Sequence, residues 1–198
     1  MLIVGSKLLG YPVLSLHVGG EIARTDTAII NPDGLKVVAY TLDGALLKNS
    51  EVGNILETVD IRELSPRGMI VDSIDDFVTR ENIIRLDEIM SLNFKLIGLK
   101  VVSQDGKKLG KVSNYTVDSV SFMIYQLIVQ RPAIKAILDP ELTINRSQII
   151  EIDDYKITIK NEEEKVEVKA KVKDFTPNFV NPFREPNYAS RDSEDKTS

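Results

Sequence analysis

The chain has no cysteine and a single histidine, His17, among 198 residues. Without cysteine there are no disulfides, thiolate metal ligands or cysteine nucleophiles. With one imidazole, a zinc site would have to be completed by carboxylates. His17 lies in Leu16-His17-Val18 beside Gly19-Gly20, a context that suits a hairpin end and a structural role. A Ser-His-Asp triad would need an activated serine beside it, and no Gly-x-Ser-x-Gly elbow is present. Long apolar runs are also missing, whereas a membrane-crossing helix needs ~20 such residues. The opening Met1-Leu2-Ile3-Val4-Gly5-Ser6-Lys7 has no basic stretch ahead of a long apolar one, so no secretory signal is expected. Together these absences point to a cytoplasmic protein.

Phosphate-binding signatures are absent too. No Gly-x-Gly-x-x-Gly or Gly-x-x-x-x-Gly-Lys-Ser/Thr motif occurs. Gly106-Lys107-Lys108 sits in a hairpin turn with no helix start behind it, so it does not read as a phosphate cradle. Asp72, Asp75 and Asp76 follow a strand and suit turn and capping roles. Tyr115 and Tyr125 are expected to cover the core rather than stack on bases. No catalytic, cofactor or metal residue is assigned. The composition, 42% hydrophobic and 28% charged, is that of an ordinary globular protein. The formal net charge of −5 gives no global attraction to phosphate backbones, so nucleic acid is disfavoured as a partner.

What is present is a repeat. Lys7-Leu8-Leu9-Gly10 recurs as Lys95-Leu96-Ile97-Gly98, displaced by 88 residues. Val13-Leu14 matches Val101-Val102, Ile61 to Leu64 matches Ile149 to Ile152, and Met69 to Val71 matches Ile157 to Ile159, all at that displacement. In between, the register slips by about two residues, pairing Gly20-Glu21-Ile22 with Gly110-Lys111-Val112, as a hairpin loop of different length would produce.

Each copy reads as β. Asp105-Gly106 and Asn31-Pro32-Asp33-Gly34 are turn signals between apolar-rich segments. Val37 to Tyr40 and Leu127 to Val129 suit core strands. Ser147 to Ile152 and Tyr155 to Lys160 form another hairpin across Asp153-Asp154. Thr79 to Leu92 has helical spacing at Ile83, Leu86 and Met90, with Thr79 as a cap. This predicts a linker helix that packs two β units together. Lys165 to Lys173 alternates valine and alanine with charge, as a strand with a solvated face does. Glu162-Glu163-Glu164 reads as a turn ahead of it.

Phe94-Lys95-Leu96-Ile97-Gly98-Leu99-Lys100-Val101, followed by Gly106-Lys107-Lys108-Leu109-Gly110-Lys111-Val112, resembles the opening of a PRC-barrel domain. In that family a Gly-x-x-Val strand leads through a glycine turn to a Leu-Gly-x-Val strand. Ile149 to Ile159 resembles the closing segment. The first copy keeps the frame at Gly10-Tyr11-Pro12-Val13 and Gly19-Gly20-Glu21-Ile22 but departs at Pro12. The family includes the cytoplasmic part of the photosynthetic reaction-centre H subunit and half of a ribosome-maturation factor. The resemblance implies two tandem small β-barrels; with the helix read at Thr79 to Leu92 and the tail read from its composition, the expected fold is mostly β, two barrels joined by a short linker helix with a flexible C-terminal tail. The expected divisions are a first barrel-like domain at 1–78, the linker helix at 79–92, a second barrel-like domain at 93–174 and a partly disordered tail at 175–198.

The tail is rich in proline yet carries Phe175, Phe179, Phe183 and Tyr188, out of six Phe and six Tyr in the chain. These four are the candidate partner-binding residues. The three phenylalanines are spaced by four, so an extended segment could put all three on one side and add to a sheet edge. The alternatives are a tail that folds back over a barrel seam and one that does nothing. The resemblance implies a non-enzymatic adaptor or assembly protein that binds another protein through barrel surfaces or the tail. Two other readings stay open, a ribosome- or RNA-associated maturation factor and a small-ligand or metal-binding regulator. Neither the partner nor the oligomeric state is legible.

Overall fold

The computed structural model describes residues 1–44, 47, 53–132 and 140–161. The turn read at Glu162 to Glu164, the strand at 165–173, and the tail with Phe175, Phe179, Phe183 and Tyr188 lie outside the described residues. Residues 1–163 form one compact unit.

The described residues are mostly strand, arranged in two sheets. Seven strands make the first: β2 (Pro12–Ser15), β3 (Gly20–Asn31), β4 (Lys36–Asp43), β5 (Ile55–Glu57), β6 (Glu63–Ser65), β7 (Gly68–Val71) and β8 (Phe77–Val78). Their order is β6-β7-β2-β3-β4-β5-β8. The second sheet holds β1 (Leu2–Val4), β9 (Lys100–Ser103), β10 (Lys108–Asp118), β11 (Ile124–Gln130), β12 (Glu141–Asn145), β13 (Ile149–Ile152) and β14 (Lys156–Ile159). Its order is β13-β14-β9-β10-β11-β12, with β1 also on β10. Neither path closes on itself through a pairing among the described residues. Among the described residues only β2–β7 and β9–β14 run parallel; every other pairing is antiparallel.

The pairings of one sheet map onto those of the other. Val13 opposes Met69 and Val101 opposes Ile157, both members displaced by 88 positions. Arg24 opposes Asp43 and Lys111 opposes Gln130, both displaced by 87. The change from 88 to 87 falls in the first hairpin. Leu14 pairs with Glu21, while Val102 pairs with Lys108, so the second loop is one residue shorter. This corrects the sequence alignment there: Ala23, not Gly20, occupies the place of Gly110. The glycines misled because they serve different purposes. Both hairpins are still built alike. The buried Ser15 and Ser103 hydroxyls accept from loop amides, Val18 N and Lys107 N, each at 3.2 Å. Gly19 and Gly106 supply the left-handed turn residue at φ 73 and 81.

Alternation places the core. In β9 and β14, Val101, Ser103, Ile157 and Ile159 point inward and Lys100, Val102, Lys156 and Thr158 outward. One hydrophobic cluster joins both sheets, with Val13, Val37, Tyr40, Leu56 and Met69 from the first and Val101, Val117, Ile124, Leu127 and Ile157 from the second. The helix is shorter than expected: a 3-10 turn at Arg80–Asn82 precedes α1 (Ile84–Ser91). Thr79 stands before that turn but its side chain makes no capping bond. Leu86 and Ile89 pack on Ile29, Ala39 and Ile55, so the helix covers the first sheet rather than bridging the two. Asn93, at φ 47, ends it in the left-handed conformation that asparagine tolerates.

Tyr40 is fully buried, edge-on to Phe122 at 6.5 Å between ring centroids. Its hydroxyl has no hydrogen-bond partner among the described residues, and burial drives its pKa far upward. An unpaired buried hydroxyl costs about 1–3 kcal/mol. Tyr40→Phe should therefore raise the urea midpoint, by about 1 kcal/mol in stability. A lower midpoint would mean that the hydroxyl has a partner after all.

Candidate functional site

The two sheets meet where their central hairpins touch tip to tip. Lys36 bridges Met123 in antiparallel fashion. Val37 N donates to Phe122 O, and Ile124 N donates to Leu35 O, each at 3.0 Å. Leu35 and Phe122 stand 87 positions apart, as do Lys36 and Met123, and Val37 and Ile124. The contact is therefore self-complementary about a pseudo-twofold axis, in the manner of an isologous dimer interface. Leu35 and Phe122 are also both left-handed, at φ 44 and 56. That conformation is strained for bulky side chains and persists only where the surroundings over-determine it.

Arg146 locks this junction. Its guanidinium donates to Gly34 O at 2.6 Å, Leu35 O at 3.1 Å and Ile124 O at 3.4 Å. The corresponding residue in the first sheet is Thr58, whose buried hydroxyl donates to Val37 O at 3.3 Å. Both positions serve the strand that starts at the junction, but only arginine is long enough to reach the other sheet as well.

Two grooves flank the junction. One, of about 510 Å³, runs between the Pro32 to Leu35 turn and Arg146, Ile149 and Glu151. The other, of about 280 Å³, is lined by Lys36, Glu57, Arg85, Leu86 and Met123 among others. Burial pushes the Glu57 carboxyl up, the Asp60 charge adds to the rise, and Arg85 opposes it. Both grooves mix apolar walls with charges of both signs, an arrangement suited to binding.

The residues weighed for chemistry occupy structural places. His17 is exposed in the β2–β3 loop, where its backbone N–H donates to Asp72 O at 3.0 Å. No hydrogen bond or ion pair joins its imidazole to another described residue. Asp76 accepts from the backbone N–H groups of Asp72 and Ser73 at 3.0 Å, and Ser73 caps the turn from Asp75 N at 3.2 Å. These are the turn and capping roles expected of the cluster. Asp72 also pairs with Arg62. Among the described residues no group of three His, Asp or Glu is arranged to hold a metal ion. No described helix is long and apolar enough to cross a membrane. Tyr115 is buried, as expected, and its hydroxyl is pushed up to about 12 by burial. Tyr125 does not cover the core. It is exposed, because β11 bulges between the Gln126 and Ile124 pairings and turns it outward.

No protein-family model matches the chain, and no curated protein matches it. The features that sequence reasoning missed, Arg146 and the junction, carry no motif. Residues 35, 123 and 146 meet only through the strand register.

Proposed function

We propose that the chain is a non-catalytic adaptor made of two copies of one barrel-type module that resembles the PRC-barrel family. The carrying observation is the shared order of pairings, with displacements of 87 and 88 positions throughout. Placement of the family-like motif supports the same reading. Gly98-x-x-Val101 opens β9 and Leu109-Gly110-x-Val112 opens β10, the two strands around which the second sheet is ordered. Copy one takes 1–78, copy two takes 93–174, and 79–92 connects them. The exception is β1, which lies on β10 of the second sheet at Leu2 to Val4. In this reading the duplication creates a pair of sheets held by the Arg146 junction, offering two related but unequal outer surfaces to a protein partner in the cytoplasm. The tail residues Phe175, Phe179, Phe183 and Tyr188 are a further candidate contact.

Affinity capture from native cells, with the full chain and with residues 175–198 deleted, tests this. The expected result is one protein recovered in near-equal amount with the full chain, reduced without the tail, at an unchanged melting temperature. Cosedimentation with ribosomal subunits would favour the maturation-factor reading instead. Recovery of no partner under any condition would overturn the adaptor reading.

A further inference from the structure

The outer face of the second sheet carries a row of lysines that its counterpart lacks. Lys156 pairs with Lys100, and Lys100 pairs with Lys111. All three are exposed, so three adjacent strands present like charges directly opposite one another. Such neighbours repel and destabilise a sheet. Lys108, on the same face, pairs with Val102. None of these four lysines makes an ion pair with a described residue. Acids bound the row at its ends without interrupting it: Asp153, whose carboxylate accepts from the Lys156 backbone N–H at 2.8 Å, stands at the β14 end. Glu141 pairs with Gln130 at the far end, and Glu151 pairs with Thr158 on β13.

The first sheet serves as an internal control. At the places of Lys156, Lys100 and Lys111 it has Gly68, Pro12 and Arg24. At the place of Lys108 it has Glu21, which pairs with Arg24 at 2.8 Å. One face thus has a neutralised arginine, and the other has four lysines with the compensating acid replaced by a base. Neither the fold nor the pairing demands this, because the same strands form without it in the first sheet. Lys100, Lys108 and Lys111 rim a groove of about 370 Å³ that also includes Val101, Val102, Gly110, Gln130 and Pro132.

We infer that this lysine-rimmed face of β14, β9 and β10 is a docking surface for an acidic, partly apolar segment of a partner protein. The inference rests on the adaptor reading and gives its partner a chemistry. Carboxylates relieve the lysine repulsion, and small apolar side chains cover Val102 and the Gly110 backbone. Nucleic acid fits less well. Among the described residues no aromatic side chain lines the groove to stack on bases, and the net charge of −5 opposes a long polyanion more than a short acidic peptide.

The test uses the full chain and a fluorescein-labelled peptide rich in Glu with interspersed Val, read by anisotropy. Oligo-dT, phosphatidylserine vesicles and the peptide with Gln in place of Glu serve as comparisons. The expected result is salt-sensitive binding of the acidic peptide only, weakened about tenfold or more by Lys100→Glu with Lys111→Glu. Arg24→Glu on the first sheet should leave it unchanged. Because all these side chains are exposed, the variants should keep the wild-type circular dichroism. Equal binding by wild type and the double variant, or tighter binding of oligo-dT or vesicles, would overturn the inference. If the double variant still captures the cellular partner at full yield, this surface is excluded while the adaptor reading stands. If peptide binding is lost as expected but no cellular partner is captured, the adaptor reading fails and the surface remains.

Discussion

Gly110→Ala should destabilise the chain by about 3 kcal/mol or more, through backbone strain and overpacking together. Gly110 has φ 154, a conformation that L side chains rarely adopt, and a Cβ built on it would overlap the Gln130 carbonyl oxygen and crowd the Val129 side chain. The oxygen belongs to the backbone of the neighbouring strand, so no rotamer change relieves the clash. Either β10 separates from β11 or the pairing slips. The first sheet shows that the problem is local. Ala23 occupies the corresponding place, opposite Gly44, so the small residue has moved from one strand to the other between the two sheets. Ala23→Gly should accordingly cost only about 1 kcal/mol, most of it unfolded-state entropy. Urea denaturation of both variants decides the matter. For a chain of this size, the Gly110→Ala loss corresponds to a fall in melting temperature of roughly 6–12 °C. A loss below about 1 kcal/mol, comparable to that of Ala23→Gly, would show that the β10–β11 spacing is not set by this glycine. Gly110 lies between Lys108 and Lys111, so a slipped pairing would also break up the lysine row.

This glycine also shows how far the sequence could be read. Its place in a Leu-Gly-x-Val segment marked it as structural, and the mostly β character, the hairpins and the displacement of 88 were all legible in alternation and turn residues. Those signals are local, or repeat at a fixed distance. The hairpin slip was misplaced because Gly20 and Gly110 were matched as like residues. Gly20 begins a strand after a turn, whereas Gly110 permits close approach of two strands, and the letter alone does not separate these uses. The helix was legible from Leu86 and its neighbours, but not the surface it would cover, because an apolar stripe does not name the sheet it packs on. The lysine row was invisible for a similar reason. Lys156 lies far along the chain from Lys100 and Lys111, and only the cross-strand register lines the three up. Nor does the local sequence Gly106-Lys107-Lys108 carry any sign that Lys108 joins a face.

Arg146→Ala should cost about 2 kcal/mol, within the range for hydrogen bonds made by charged groups, and its effect should concentrate at the junction. Removing the guanidinium takes the charged donor from Gly34 O, Leu35 O and Ile124 O at once. The two left-handed residues, Leu35 and Phe122, then lose part of what holds them in strained conformations. Amide exchange gives a readout that general destabilisation would not mimic. The Val37 and Ile124 amides, which cross between the sheets, should lose protection more than Val112 N, which donates to Leu99 O within the second half. Arg146→Lys should fall between, since a lysine keeps the charge but not the planar fork that reaches several carbonyls. Uniform loss of protection across both sheets would show instead that Arg146 contributes to the whole core rather than to the contact. The outcome bears directly on function. A partner that touches both sheets needs them at fixed spacing, and the ordering cost of binding rises if that spacing fluctuates. An Arg146 variant that leaves the lysine face intact yet weakens partner capture would therefore show that the junction presents the two outer surfaces as one.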